Sequence, residues 1–522
     1  MKFQKIFPIF IYLILIAYIF QFRYKLDKFG PYFTSDGAIK VYQTFQYKQN
    51  GFFSLGCIYP GKSYDSEFRF YPISYPWAVF SKEKVNEKCV LEYPPFFYWI
   101  GAFLLYLVPL SLILYIPILF YSVAIFLFDR ILENLGFNSL FRVFIVLLSF
   151  FSFPLLTSLD YTESSLFLLL YLYGFSRLVG ILKDQSKCSW KNYFLFGGII
   201  GLAFCLRLEI LFPFAFVLLI YFLLYKKLIP TVSMGLGFLI TISFFLIYNY
   251  NVSGHILGFR YVSSIDLNEN SSANFISRIQ LLKAYLWGDH LMIGILRFNP
   301  LCYFMLFLTG ISIIFWKNRK EGNVFLFSGI FSILCIPFYV TFYGGVGYFG
   351  LRYLEAPFFL IVIGFSYYLA DHKIITDKFF KKITFVILGF IFYFNLVTTR
   401  EGLKVLRSSS ADLHTLHTEF NKSPQFIFHT SLYSSIWMGY SFLNKIHVLT
   451  YTTPLFDEYL KNLDKGEVFM IIKSPKDIYI SSDIPKKLFS QYKTNVDINS
   501  EKAEIIEEKD LFGVKLILAK RK

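Results

Sequence analysis

Apolar runs long enough to cross a bilayer recur along this chain, and no other feature limits its fold as tightly. They cover Ile6 to Phe22, Leu110 to Phe128, Val143 to Thr157, Leu166 to Val179, Tyr193 to Leu206, Leu208 to Tyr225, Ile229 to Tyr248, Leu301 to Trp316, Val324 to Phe342, Phe358 to Ala370 and Phe385 to Val397. A transmembrane helix needs roughly 20 predominantly apolar residues, so the pattern predicts an α-helical polytopic membrane protein with about eleven spans. A further apolar stretch, Phe96 to Leu107, is cut from the second span by Pro109 and reads as a helix half-embedded at the membrane surface. With 56% hydrophobic and only 16% charged residues, the chain has too little charged surface for a water-soluble protein of 522 residues.

The net charge of +16 would suggest nucleic acid in a soluble protein, but here it has to be read loop by loop. Lys2 and Lys5 precede the first run and no small-residue cleavage site follows it, so it reads as an uncleaved span with a cytoplasmic N-terminus. Alternating sides then puts Arg130, Arg142, Arg177, Lys183, Lys187, Lys191, Lys226 and Lys227 inside. Lys317, Arg319, Lys320, Lys373, Lys378, Lys381 and Lys382 follow on the same side. Every short inside loop is thus basic, as the positive-inside rule requires, and no nucleic-acid partner is expected. The expected location is the plasma or inner membrane.

Two domains are expected. Residues 1–398 form the membrane domain, with 23–95 as its first large extracytoplasmic loop. From Thr399 the composition becomes that of a soluble protein. Strand-like runs at Phe426 to Phe428, His447 to Leu449, Val468 to Ile472 and Val514 to Leu518 alternate with helix-like stretches at Ser431 to Phe442 and Leu455 to Leu463. Residues 399–522 are therefore predicted to form a small α/β extracytoplasmic domain with an accessory role, covering the active cavity and contacting the acceptor. Cys57 and Cys89 share the first loop, where an oxidising compartment would allow a disulfide, whereas Cys205, Cys302 and Cys335 sit in apolar runs and read as packing residues.

Charged groups beside a membrane are costly and tend to be functional, so the carboxylates on the outer side are the candidates for chemistry. Asp36 follows the first span in Thr34-Ser35-Asp36-Gly37-Ala38, a composition that also suits a helix cap. Asp160 and Glu163 lie in the tight turn between the third and fourth spans, and Arg207 and Glu209 in the turn between the fifth and sixth. Arg260 and Arg352 are further cations at span ends, where an Arg can also simply snorkel. Gly344, Gly345, Gly347 and Gly350 before Arg352 permit close backbone approach to a ligand.

At these residues the chain resembles the GT-C class of polytopic glycosyltransferases, and within it the protein mannosyltransferase and aminoarabinose transferase group. Asp36-Gly37-Ala38, Tyr42 and Gly51-Phe52-Phe53 match the order of that class after its first span. Tyr93-Pro94-Pro95-Phe96-Phe97-Tyr98-Trp99 resembles its Lys-Pro-Pro-Leu-Tyr-Tyr-Trp step, and Thr162-Glu163-Ser164-Ser165-Leu166-Phe167 its Thr-Glu-Ser-Leu-Phe stretch. Ala203 to Arg207 looks like its Ala-x-x-x-Arg step, and Arg352-Tyr353-Leu354-Glu355-Ala356-Pro357 like its Arg-Tyr-x-x-x-Pro motif. The resemblance covers roughly Lys5 to Val397 and implies inverting transfer of a sugar from a polyprenyl-phosphate carrier to an extracytoplasmic glycolipid, polysaccharide or protein.

In that reading Asp36 is the base that takes the acceptor's proton, with Asp160 or Glu163 orienting acceptor or base. Arg207, Arg260 and Arg352 hold the carrier phosphate as its charge grows, and Tyr93, Pro94 and Pro95 position the loop. Many members carry a second acidic residue where this chain has Gly37, so transfer is expected to need neither a cofactor nor a metal ion. Two alternatives stay open: a glycolipid flippase, and an inactive member that binds a lipid-linked glycan.

Overall fold

The computed structural model describes residues 2–27, 35–52, 57–73, 78–80, 89–91, 93–184, 189–258, 275–289, 292–303, 320–340, 350–371, 378–435, 437–439, 441–473 and 496–522. Among the described residues eight helices are long and apolar enough to cross a membrane: Ile6–Leu26, Leu110–Asn134, Ser164–Lys183, Leu208–Tyr225, Leu228–Val252, Lys320–Phe338, Gly350–Ala370 and Lys382–Lys422. The protein is a multi-pass, mainly helical membrane protein with a small C-terminal sheet.

The other three expected spans differ for separate reasons. Val143 to Thr157 is not one helix but two, Ser139–Phe150 and Phe153–Ser158, because Pro154 cannot donate to a carbonyl one turn back. Of Tyr193 to Leu206, all but the last two residues lie in a helix of 15 residues, Trp190–Phe204, shorter than a bilayer requires of a straight span. Most of Leu301 to Trp316 lies outside the described residues.

The chain divides into two compact units. The first, from Met1–Arg23, Leu114–Tyr248 and Ala273–Val405, is the helical bundle. Lipid tails are as apolar as leucine, so helices in such a bundle associate by close packing rather than by hydrophobic burial. Helices Trp190–Phe204 and Leu228–Ser253 show how: a Cβ on Gly197 would stand 1.9 Å from the Met234 carbonyl oxygen, and one on Gly237 2.0 Å from that of Phe194. Only hydrogen at both positions allows the two backbones to touch.

The second unit comprises Tyr24–Ile113, Asn249–Ser272 and Leu406–Lys522. Its core is a five-stranded sheet of β3 (Phe426–His429), β4 (Ile446–Leu449), β5 (Val468–Lys473), β6 (Ala503–Leu511) and β7 (Val514–Arg521), in the order β4-β3-β5-β7-β6. The first three strands are parallel, and β7 and β6 close the sheet antiparallel. Period-two alternation sends Phe426, Phe428, Val448, Phe469, Ile471 and Ile517 to one face and Ile427, Met470, Ile472 and Leu516 to the other. Both faces are covered, so the parallel strands are mostly apolar, with His429 and His447 as buried exceptions.

The segment after the first span folds onto this sheet. Phe70 joins the core beside Phe426 and Tyr459, and its carbonyl accepts the Leu449 N–H at 2.9 Å. Burial of a Phe of this kind contributes roughly 1.5–3 kcal/mol. Asp65 fixes the turn by accepting from the Arg69 and Phe70 N–H groups at 2.9 and 2.8 Å and from the Tyr59 hydroxyl at 3.1 Å. Within the same unit β1 (Ala78–Phe80) pairs antiparallel with β2 (Cys89–Leu91). Cys57 is disulfide-bonded, while the side chain of Cys89 lies outside the described residues; Cys205, Cys302 and Cys335 are free thiols.

Candidate functional site

The candidate residues fall into one group in each unit. In the bundle, the helix Phe153–Ser158 ends in a turn through Asp160, and Ser164–Lys183 begins immediately after Glu163. Asp160 and Glu163 are both buried. Asp160 closes the turn locally: its carboxylate accepts the Tyr161 N–H at 2.9 Å and its carbonyl the Thr162 N–H at 2.9 Å. Arg23, itself fully buried, donates to the Leu159 carbonyl at 2.9 Å.

Arg207 is the hub of the group. Its Nε donates to Glu209 Oε1 at 2.6 Å, and one terminal nitrogen donates to Glu355 Oε2 at 3.0 Å and Ser164 Oγ at 3.2 Å. The other donates to the Arg352 carbonyl at 3.0 Å. The guanidinium lies 5.2 Å from the Phe167 ring centre and 5.9 Å from that of Tyr353, over which Arg352 also sits at 5.3 Å. Glu355 takes a second hydrogen bond, 2.7 Å, from Thr157. Glu163 is close enough to act electrostatically on both Arg207 and Glu355.

Charges this deeply buried persist only when paired and hydrogen-bonded, and Arg207 has both kinds of partner. Its planar fork of donors ties together four segments: the start of Ser164–Lys183, the 3₁₀ turn Leu208–Ile210, the 3₁₀ turn Gly350–Leu354 and the first residue of Glu355–Asp371. The three segments that resemble glycosyltransferase motifs in this unit therefore converge on one guanidinium.

In the second unit, Asp36 lies in the first turn of the helix Ser35–Asn50, and its side chain is outside the described residues. From Ala38 to Thr44 this helix is buried all round, including Lys40 and Gln43. Gln43 donates to the Tyr93 carbonyl at 2.7 Å, and the Lys40 ammonium lies 4.6 Å over the Tyr93 ring. Pro94 and the buried Pro95 follow, and Pro95 caps the helix Phe96–Leu104, its fixed φ suiting that place. Tyr47 meets Trp99 edge to face at 6.1 Å. The Asp36 and Tyr93-Pro94-Pro95 segments, 50 residues apart along the Gln43–Tyr93 contact, are thus neighbours in space.

Arg260 lies outside the described residues, as do Gly344, Gly345 and Gly347. Sequence reading gave no role to Glu355, Thr157, Arg23 or Lys40. Glu355 stood inside the Arg352 to Pro357 motif, a signal that could have been used; its pairing across 148 residues with Arg207 could not. Among the described residues no group of three or more His, Cys, Asp or Glu side chains has a metal-holding arrangement.

No family model and no curated protein matches the chain. Among solved structures it is similar to the oligosaccharyltransferase of Archaeoglobus fulgidus, crystallised as a complex with zinc and sulfate. The TM-score is 0.35 at 12% identity, over 83% of this chain and 67% of that one. A likeness this distant does not bear on function.

Proposed function

We propose that the protein is an inverting membrane glycosyltransferase that moves a sugar from a polyprenyl-phosphate carrier to an extracytoplasmic glycolipid, polysaccharide or protein. The observation that carries this reading is the convergence of Glu163, Arg207 and the Arg352 backbone in one buried polar cluster of the helical bundle. A packing cluster had no need to recruit the very segments that resemble donor-site motifs.

Transfer requires a base for the acceptor hydroxyl and fixed cations for a leaving phosphate. Asp36 supplies the base, at the start of a buried helix whose Lys40 stands one turn later. Asp160 or Glu163 orients the acceptor. Arg207 is committed to carboxylates and to the Arg352 carbonyl, so its part is to set the loop that carries Arg352, and Arg352, half-buried on Tyr353, meets the phosphate. Arg260 is the further phosphate-binding cation.

One observation speaks to the flippase alternative. Transporters use broken helices to expose carbonyls to a substrate or ion. The break at 151–152 here has its carbonyls taken by protein side chains, which favours the enzyme. Protein purified into lipid nanodiscs and given a polyprenyl-phosphate sugar with a cell-envelope extract is expected to release polyprenyl phosphate, and Glu163→Gln to lower that release at least about tenfold. Wild-type protein that binds the donor and releases no carrier phosphate would overturn the assignment.

A further inference from the structure

The break between Ser139–Phe150 and Phe153–Ser158 leaves four consecutive carbonyls without their helical donors. Pro154 has no N–H for Phe150, and Phe151 at φ −80° and ψ 54° leaves the helical region and turns the Ser152 N–H away from Leu148. In a bilayer such groups have no water to turn to. Each has instead been given a side chain. Leu148 accepts from Asn299 Nδ2 at 3.0 Å and Asn395 Nδ2 at 2.9 Å, and Ser149 from Ser152 Oγ at 2.7 Å. Phe150 accepts from the Tyr121 hydroxyl, and Phe151 from Thr399 Oγ1 at 3.1 Å.

Three features separate this arrangement from incidental packing. Asn299, Asn395 and Thr399 are fully buried in an apolar bundle, where a polar side chain is kept only for a purpose. Asn395 donates through its amide nitrogen while its buried Oδ1 meets no partner among the described residues, so a stability-driven choice would have been an apolar side chain. An Ala at 154 would have spared the chain all of these donors by letting the helix continue. The piece beyond the break is the one that carries Thr157 to Glu355 and leads into Leu159, Asp160 and Glu163.

We propose that Asn395, Asn299 and Thr399 are positioning residues for transfer. They hold the span broken at 151–152 and so set Thr157 and the Asp160 to Glu163 turn against the Arg207 and Glu355 cluster. The inference rests on the glycosyltransferase reading for its consequence in catalysis, but its structural half is tested separately.

Two variants test it. Asn395→Leu still leaves Asn299 to serve Leu148, so the protein folds; Pro154→Ala returns a donor to Phe150 and closes the helix. Both are expected to purify as monodisperse protein, to raise amide exchange through residues 157–164 at least about tenfold, and to lower kcat by a similar factor with donor KM held within about twofold. Exchange unchanged in both folded variants overturns the proposal, as does unchanged kcat in a variant whose exchange has risen. Wild-type protein without transfer would sink the enzyme reading instead, and the exchange measurement would still decide whether these side chains set the turn.

Discussion

Two arginines are buried among carboxylates in the helical bundle, and they are placed for different work. Arg142 pairs with Asp129 and Glu133, each at 3.1 Å, and Asp129 also accepts the Tyr12 hydroxyl at 2.7 Å. Asp129 and Glu133 are one turn apart on one helix and Arg142 is on the next, so the cluster clamps a helical hairpin to the first span. Its outer member, Glu133, is 38% exposed. Arg207 is closed in more completely, with Glu209 at 11% and Glu355 at 1% exposure, and beside its near neighbour Glu209 it takes partners from segments far apart in the chain, Ser164, Arg352 and Glu355. The ion pairs of the first cluster need nothing beyond local helix pairing, and among the described residues only the Tyr12 hydroxyl reaches it from far along the chain. The second assembles a backbone carbonyl, a hydroxyl and the Glu355 carboxylate that no local structure would bring to Arg207.

The largest difference is expected in stability when the cation is removed. Arg207→Leu strands two buried carboxylates and should cost about 3–5 kcal/mol, enough to lower the yield of folded protein sharply. Arg142→Leu leaves Asp129 its Tyr12 partner and Glu133 partly exposed, and should cost less than half as much. Thermal unfolding in detergent compares them, and equal losses would erase the distinction.

A smaller but more telling difference is expected in transfer. Glu355→Gln keeps the shape and loses the charge that holds Arg207, and should lower kcat about 100-fold, equivalent to roughly 2.7 kcal/mol. Asp129→Asn should stay within about threefold of wild type in kcat once matched for folded protein. Reversal of that order would make the Arg142 cluster the functional one.

The sheet unit offers a third buried polar arrangement, and its prediction is the gentlest. His429 Nε2 lies 2.8 Å from His447 Nδ1, His447 Nε2 lies 3.0 Å from Ser441 Oγ, and Ser441 donates to the Met438 carbonyl. With Ser441 donating to Met438, His447 donates through Nε2 and accepts at Nδ1 from the His429 Nε2–H, which keeps the His447 ring neutral. Burial pushes the His429 imidazole down to about 3, and burial with the neighbouring His429 and Lys445 holds His447 well below its ordinary value. The unfolded chain therefore binds more protons below its ordinary histidine value of 6.5. Stability of this unit is complete above that pH and should fall by about 1.4 kcal/mol per pH unit for each histidine as the pH drops from there toward 3. His447→Gln should flatten the acid limb of a pH series followed by amide exchange in β3 and β4.

Much of this fold was legible because local pattern determines it. Strands β3, β4, β5 and β7 announce themselves as short apolar runs between turn residues, and eight spans as long ones. Strand β6 did not: Ala503–Leu511 is mostly charged and exposed, since an edge strand needs backbone pairing and not burial. The predicted helix Ser431 to Phe442 resolves into two single turns, Leu432–Ser435 and Ser441–Asn444, because its serines bond back to nearby carbonyls instead of extending a helix. In the site, residue types were readable and partnerships were not. Arg207 was visible as a costly cation at a span end, but its commitment to Glu355 depends on how distant helices pack, which no spacing encodes.

The most direct measurement follows the fate of the sugar. Wild-type and Asp36→Asn proteins are reconstituted in vesicles with a polyprenyl-phosphate donor labelled in its sugar, together with acceptor from the cell envelope. The wild-type protein should move the label off the lipid, and Asp36→Asn, equally folded, should leave it there, with the rate down at least about a thousandfold. Label that stays on its carrier and only changes leaflet, or an Asp36→Asn protein as fast as wild type, would contradict the account.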